Sequence, residues 1–146
     1  MKMNYLEIVN RNAVLAEVGR KTLPRRITYA ITKNLKALGK EVDFYNSQRK
    51  DIADRYAAKK EDGTFIYDKA ENGDTVFTFA TPEDRELFTS EASELEKTET
   101  DVDVVKFKAE ELDRCDMSER YGVLSSLEEI ALEWMIDYGE DPESVS

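Results

Sequence analysis

The sequence predicts an α+β protein with a long N-terminal helical hairpin, a small three-stranded antiparallel sheet and two further helices. Apolar residues recur at helical intervals from about residue 24 to residue 58. Two β-rich segments flank Asn72-Gly73, a dipeptide typical of tight hairpin turns. Two later segments open with residue types that begin helices. These elements fit a single domain over residues 1–138, and residues 139–146 are expected to form a flexible tail.

Two helices make up the predicted hairpin over residues 5–58. Asn4 and Glu7 have the spacing of a capping box, and Gly19 closes the first helix after residue 18. The second helix begins near residue 24 and is expected to be continuous or to bend only near Gly39, where helix propensity is lowest by about 1 kcal/mol. At 1.5 Å per residue it would be roughly 50 Å long.

The apolar stripe of this second helix is too long for one short neighbour to cover. Its C-terminal end carries Tyr45, Ile52 and Tyr56. Apolar stripes of this length are rarely left in water. A homodimer through the long helix is therefore expected if these three side chains stay exposed within one chain.

The predicted β-hairpin turns at Asn72 and Gly73, which suit the two positive-φ positions of a type I′ turn. This turn places Ile66 opposite Phe79 and on the same face as Phe77. Because side chains alternate along a strand, that face is expected to cover the core.

The next helix begins at Thr81, followed by proline and acidic residues, and reaches about residue 97. Leu87, Phe88 and Leu95 are expected to face inward. A third strand then follows over residues 100–108.

The last helix is capped by Ser125 with Glu128, or by Ser126 with Glu129. It follows a short acidic segment. The residues expected to be mostly buried in the whole fold are Ile27, Ile31, Leu38, Val42, Ile52, Ile66, Phe77, Phe79, Leu95, Val105, Leu127, Ile130 and Trp134.

The residue types that the chain lacks exclude several kinds of catalytic and metal site. The chain has no histidine and a single cysteine, Cys115, so paired nucleophiles that need histidine and conventional zinc sites are excluded. Its six glycines are scattered and form no phosphate-binding loop. We therefore expect no enzymatic activity and no cofactor. No apolar run approaches the roughly 20 residues that span a bilayer, so no membrane partner is expected.

Charge is divided unequally along the chain. Residues 1–60 carry 14 Lys and Arg against 6 Asp and Glu, whereas residues 61–146 carry 7 against 26. The isoelectric point is near 4.6. Direct nucleic-acid binding is not expected, because nucleic-acid-binding domains are usually basic.

Three stretches of the sequence resemble a family of small bacteriophage and prophage proteins to which no activity is assigned. They are Leu23-Pro24 leading into Ile31-Thr32-Lys33-Asn34-Leu35 and Glu41; Arg55-Tyr56 before an acidic hairpin; and Glu94-Leu95-Glu96 with Thr98 and Glu99 before a Val-rich strand and a closing helix. The similarity covers about residues 20–135. It implies a phage setting and the host bacterial cytoplasm, or the virion if the protein is structural, and it carries no functional residues.

The leading functional hypothesis is a phage-encoded inhibitor of a host defence or nucleic-acid enzyme, such as a CRISPR nuclease. Residues 83–119 hold 14 Asp and Glu against 5 Lys and Arg, a density that imitates the phosphates of DNA. The partner would be a protein with a basic surface. The residues expected to contact it are Glu91, Glu94, Glu99, Asp101 and Asp103.

Three alternatives stay open. The long apolar stripe suits a virion or tail-assembly protein. Arg25, Arg26 and Lys33, at and after a helix start, suit a sponge for a phosphate-bearing immune nucleotide. An Mg²⁺ site at Glu99, Asp101 and Asp103, which share a strand face, is the only support for an enzyme, and we do not expect it.

Overall fold

The structure is a computed structural model that describes residues 1–116 and 119–139. It is α+β, as predicted. In chain order the elements are β1 (Lys2–Asn4), α1 (Tyr5–Val18), α2 (Arg25–Tyr56), β2 (Tyr67–Lys69), β3 (Thr75–Phe77), α3 (Pro82–Lys97), β4 (Glu99–Asp101), β5 (Phe107–Lys108), α4 (Glu110–Asp116), α5 (Ser126–Ala131), a 3₁₀ turn (Glu133–Met135) and β6 (Ile136–Asp137). The predicted tail, apart from Gly139, lies outside the described residues.

The chain forms two compact units. Of the described residues, the first contains 1–42, 99–116 and 119–139, and the second contains 43–98. Helix α2 contributes its N-terminal part to the first unit and its C-terminal part to the second. None of the helices formed by the described residues has the length and apolar content needed to cross a bilayer.

Helix α1 starts and ends where predicted. The Asn4 side chain accepts a hydrogen bond from the Glu7 amide (2.8 Å), and the Glu7 carboxylate accepts one from the Asn4 amide (3.2 Å). Gly19 caps the helix with φ −64°, so a left-handed backbone is not the reason for glycine. A Cβ there would lie 3.0 Å from the Leu15 carbonyl oxygen and 3.4 Å from Ile31 Cγ2. Glycine therefore allows the end of α1 to approach α2.

Helix α2 is one continuous helix of 32 residues that passes through Gly39. The predicted hairpin over residues 5–58 is not confirmed, because α1 has only 14 residues and belongs with the N-terminal part of α2 alone. The stripe end is covered within one chain, since Tyr45 and Ile52 are buried and Tyr56 is half-buried. A homodimer through this helix was expected only if these three side chains stayed exposed within one chain, and they do not.

The three-stranded sheet is not confirmed: each sheet in the described part of the chain has two strands. The segment predicted as one strand over residues 100–108 divides into β4, which pairs antiparallel with β1, and β5, which pairs in parallel with β6. Between them the backbone turns toward α2, where Asn34 binds both backbone polar groups of Val105.

The β2–β3 hairpin forms with a register one residue away from the predicted one. Tyr67 lies opposite Phe77, which puts Ile66 opposite Thr78 rather than Phe79. The turn is not type I′, because Gly73 (φ +88°) has a positive φ and Asn72 does not. A slip of one residue moves a side chain to the other face of the strand. Ile66 is accordingly exposed.

The core of the first unit includes Ile27, Ile31 and Leu38, as predicted. Leu127 and Ile130, expected inside, are 78% and 60% exposed. Helix α5 has only six residues and gives way to a 3₁₀ turn, so the predicted helical face does not continue to the end of the chain. The buried residues of this part of the chain follow α5 and are Leu132, Met135 and Ile136.

The second unit has a small aromatic core. Phe88 of α3 is buried, whereas Leu87, also expected inside, is 42% exposed. The buried residues of this core are Ile52, Ala53, Ala57 and Phe88, and the partly buried residues packed on them are Tyr56, Phe65, Phe77, Phe79, Ala92 and Leu95. Thr81 caps α3 and Pro82 is its first residue, as predicted.

Candidate functional site

A cleft of about 660 Å³ opens in the first unit. Its lining residues, which define the basic cleft, are Arg25, Arg26, Tyr29, Val105, Lys106, Phe107, Lys108, Arg114 and Tyr121. Five of these nine residues are cationic and none is acidic. In a chain with a net charge of −11, this is a local concentration of positive charge whose members repel one another.

The start of α2 forms one wall of the basic cleft. Ile27 and Thr28 donate their amides to the Pro24 carbonyl oxygen (3.0 Å each), so Arg25 and Arg26 occupy the first helical positions. Amides in a first helical turn have no carbonyl partner within the helix, and they carry the positive end of its dipole. Both arginine side chains are exposed. The helix therefore adds to the positive potential of the cleft.

Glu111 on α4 lies close to two of the cations. Its carboxylate lies 3.8 Å from Arg26 Nη1 and 3.2 Å from Arg114 Nη1, and the residue is only 8% exposed. One carboxylate between two guanidinium groups leaves an excess of one positive charge. Glu111 therefore attracts both guanidinium groups, with a hydrogen bond from Arg114, without neutralising the cleft.

Asn34 of α2 anchors a second segment that lines the cleft, residues 105–108. Its Nδ2 donates to the Val105 carbonyl oxygen and its Oδ1 accepts from the Val105 amide, both at 2.8 Å. Asn34 is 1% exposed and lies in the core. This pair of bonds holds the backbone that carries Lys106 and Lys108 beside α2.

Two tyrosines add aromatic surface to the cleft. Tyr29 is 55% exposed, and the Lys33 amine lies 5.7 Å from the centre of its ring. Tyr121 is half-buried, and its segment is held by a 2.7 Å bond from the Gly122 amide to the Thr22 carbonyl oxygen. Exposed rings beside cations suit a ligand with both a flat ring and negative charge.

The predicted phosphate-binding residues divide between the cleft and its surroundings. Arg25 and Arg26 line it, whereas Lys33 contacts the Tyr29 ring without lining it. The residues that the sequence analysis missed are Tyr29, Lys106, Lys108, Arg114 and Tyr121. The alternation of Lys106 and Lys108 across a strand-like segment was the available signal, but nothing in the sequence places them beside α2.

Lys21, which neighbours the predicted cluster, has a structural role. Its amine contacts the Glu128 carboxylate at 2.7 Å and the Val123 carbonyl oxygen at 2.9 Å. The bond from Lys21 and those from Ser125 lower the pKa of Glu128. Ser125 and Glu128 form the capping box of α5, so the first of the two predicted caps is confirmed.

The predicted acidic residues fall into two groups. Glu91 and Glu94 lie on α3 in the second unit, where Glu91 is half-buried and pairs with Arg55 at 3.4 Å. The other group, which we call the acidic face, belongs to the first unit and consists of Glu99, Asp101 and Asp103.

All three carboxylates of the acidic face are exposed, while Thr100 is half-buried and Val102 is buried between them. This is the predicted alternation. The structure does not assemble them into an ion site: among residues 1–116 and 119–139, no three acidic or cysteine side chains are grouped as a metal site would require.

The resemblance to phage and prophage proteins stays an expectation, as does the cellular setting that it implies. The basic cleft and the acidic face are the candidate sites of the first unit. A comparison of this chain with protein-family models, with curated proteins and with solved structures finds no match.

Proposed function

We propose that the protein is a binding protein that captures a phosphate-bearing nucleotide in the basic cleft. The observation that carries this proposal is the set of cations without acidic partners. Arg25, Lys106 and Lys108 line the cleft and form no ion pair with any carboxylate of the described residues. Assembling like charges costs stability, and a bound phosphate would offset that cost.

The aromatic lining supports a nucleotide rather than a simple anion. Tyr29 and Tyr121 offer ring surfaces on which a base can stack, typically worth about 1–3 kcal/mol per base. The volume of about 660 Å³ lies within the range of small-ligand pockets. Arginine forks bind phosphate oxygens in pairs, so Arg26 and Arg114 suit the phosphate end.

In the phage setting that the sequence suggests, such a protein would act as a sponge for a nucleotide immune signal. Capture needs no catalysis, and tight binding alone removes a signal from its receptor. This role fits the absence of histidine from the chain.

Calorimetric titration with a panel of cyclic and linear nucleotides tests the proposal. Inorganic phosphate and an uncharged nucleoside complete the panel, because they report the two halves of the ligand separately. Arg25→Gln, Lys106→Gln and Lys108→Gln should each weaken binding about tenfold, as expected for loss of one charge-assisted contact. Arg26 and Arg114 are poor first choices, since replacing either one unbalances the buried Glu111 carboxylate.

Lys36→Gln and Lys40→Gln are the matched controls, because these exposed lysines lie on α2 outside the cleft. They remove the same charge and should leave affinity nearly unchanged. Flat titrations across the whole panel would refute the proposal. Equal losses from cleft and control variants would show non-specific attraction instead.

The acidic face favours a second candidate function, inhibition of a protein that has a basic surface, such as a CRISPR-type nuclease. Glu99, Asp101 and Asp103 are exposed on one face, which is what a DNA-mimicking edge requires. Replacing these three by their amides, alone or together with Glu91 and Glu94, should abolish inhibition.

A control for the acidic face removes three exposed carboxylates elsewhere, with Asp51→Asn, Glu61→Gln and Glu71→Gln. Both triple variants remove three negative charges and so change the net charge by the same amount. Nuclease inhibition and its loss at high salt are the measurements. Inhibition that survives neutralisation of the acidic face would rule this candidate out.

A further inference from the structure

A second cavity, of about 500 Å³, lies within the second unit alongside β3. We call it the β3 groove, and its lining residues are Arg49, Tyr67, Thr75, Val76, Phe77, Phe79, Arg85, Phe88 and Thr89. It shares no residue with the basic cleft. Its walls combine a strand edge, an aromatic floor and two arginines.

The backbone of β3 has a free edge. The hairpin bonds from Ala70 to Asp74 and from Thr78 to Ile66 define which residues pair across the two strands. Bonding alternates along an antiparallel pair, so the amide and carbonyl groups of Thr75 and Phe77 point away from β2. No strand among the described residues lies on that side of β3. An unpaired edge is a template for another strand.

The floor of the groove is built from aromatic rings. Phe77 contacts Phe88 edge to face, with ring centres 5.6 Å apart, and stacks on Tyr67 at 5.4 Å. Tyr67 is 56% exposed, and Phe77 is half-buried. The rings therefore keep part of their surface in water, although a core lies directly beneath them.

Both charged residues of the groove are arginines. Arg85 lies 5.7 Å from the centre of the Phe79 ring, and Arg49 extends from α2. Both side chains are exposed, and neither forms an ion pair with a carboxylate in the described part of the chain. The groove is thus positively charged in a protein with a large excess of acid, which favours an acidic occupant.

We propose that the β3 groove binds an extended acidic peptide segment of a partner protein. The peptide pairs with Thr75 and Phe77 as an added strand, which is a recurring mode of peptide recognition. A side chain of the peptide on the aromatic face of the sheet lies against Phe77. A carboxylate of the peptide then reaches Arg49 or Arg85.

Fluorescence anisotropy with a designed peptide tests this inference. The probe is a fluorescein-labelled peptide of about eight residues, with Val and Thr alternating around one Phe and Glu at both ends. A peptide with Lys in place of Glu is its control. We expect the acidic probe to bind at least about tenfold more tightly than the basic one. Equal affinity, or no binding of the acidic probe, would overturn the proposal.

Two sets of variants measure separately how much the arginine charges and the backbone pairing contribute to peptide binding. Arg49→Gln with Arg85→Gln should weaken binding at least about tenfold, by loss of charge-assisted contacts. Thr75→Pro removes an outward-facing amide, which an edge strand tolerates, and should abolish binding. Its matched control is Lys69→Pro on the far edge of β2, where the amide bonds only the neighbouring Asp68 side chain.

Light scattering decides between a partner peptide and a second copy of this chain. Under the proposal the protein alone shows no dimer that depends on Thr75. A concentration-dependent dimer abolished by Thr75→Pro would show β3 pairing with itself and would refute the proposal. Retained probe binding by a folded Thr75→Pro variant would refute it equally.

Discussion

Asn34 is a single polar residue on which one wall of the basic cleft depends. It lies on the apolar side of α2, between Ile31 and Leu38, at helical spacing from both. A buried asparagine in an apolar stripe must bond something, and here it takes both polar groups of Val105. The helical spacing was a readable signal that the sequence analysis did not use. Its partner, 71 residues away, was not predictable from local pattern.

Asn34→Leu should destabilise the protein by about 2 kcal/mol or more, because it leaves the Val105 amide and carbonyl without their partners. Asn34→Asp replaces the donor to the Val105 carbonyl by a buried carboxylate oxygen without a cation partner, and should cost at least as much. Urea unfolding measures the change in free energy, and calorimetry should show weaker nucleotide binding by both variants. Unchanged stability of Asn34→Leu would contradict the clamp assigned to Asn34.

Tyr5 makes the stability of the folded protein depend on pH in the alkaline range. Burial, and then its hydrogen bond to Glu41 (2.8 Å), raise the pKa of Tyr5 to about 12 from 10.0. The neutral phenol is therefore favoured in the folded state, and its contribution is complete below pH 10.0 and lost as pH rises toward 12.

The Tyr5→Phe variant isolates this contribution from the titration of lysines. The difference in unfolding free energy between the wild type and this variant should fall by roughly 2 kcal/mol between pH 10 and pH 12. Denaturant unfolding at stepped pH gives the two curves. Parallel curves would show that the Tyr5 hydroxyl does not titrate with folding.

The helix caps were predictable from the sequence, whereas the pairing of the strands was not. Asn4, Thr81 and Ser125 start helices where the sequence places them, because a cap is a property of four consecutive residues. The β2–β3 register depends on the turn type. Asn72 tolerates positive φ, but here its side chain bonds the Asp74 amide at 3.0 Å, and only Gly73 has a positive φ.

Gly73 and Gly39 should respond oppositely to alanine. Gly73 has φ +88°, so Gly73→Ala should cost about 1 kcal/mol. Gly39 lies within α2, and a Cβ there would have no neighbour within 4 Å, so Gly39→Ala should stabilise by about 0.5–1 kcal/mol. Thermal or urea unfolding of the two variants measures both effects. A loss of stability in Gly39→Ala would mean that α2 needs a flexible point there.

Within the first unit, the charge division along the sequence is not a division in space. Three cations of the basic cleft, Lys106, Lys108 and Arg114, come from the acidic part of the chain. They meet Arg25 and Arg26 because α2 packs beside β5 and α4 within the first unit. Arg25 and Arg26 were therefore visible as a local cluster at a helix start. The other three cations join them only through tertiary contacts between distant segments.

The proposed nucleotide function makes a prediction about polymers that depends on the net charge of −11. A mononucleotide is small enough to interact mainly with the five cations that line the basic cleft. Duplex DNA carries one negative charge per roughly 1.7 Å, so it also meets the excess acid of the whole chain. We therefore expect the protein to bind a mononucleotide and to reject a duplex of about 30 base pairs.

Anisotropy with labelled mononucleotide and labelled duplex compares the two ligands, and repeating the titrations at several salt concentrations measures the electrostatic part. Mononucleotide affinity should fall modestly with salt, because few phosphates are contacted. Residual duplex affinity should be weak throughout and unaffected by Arg25→Gln, since it does not arise in the cleft. Tight, salt-sensitive duplex binding that Arg25→Gln abolishes would instead make the cleft a nucleic-acid site. The negative charge outside the cleft would then be too distant from the DNA to oppose binding.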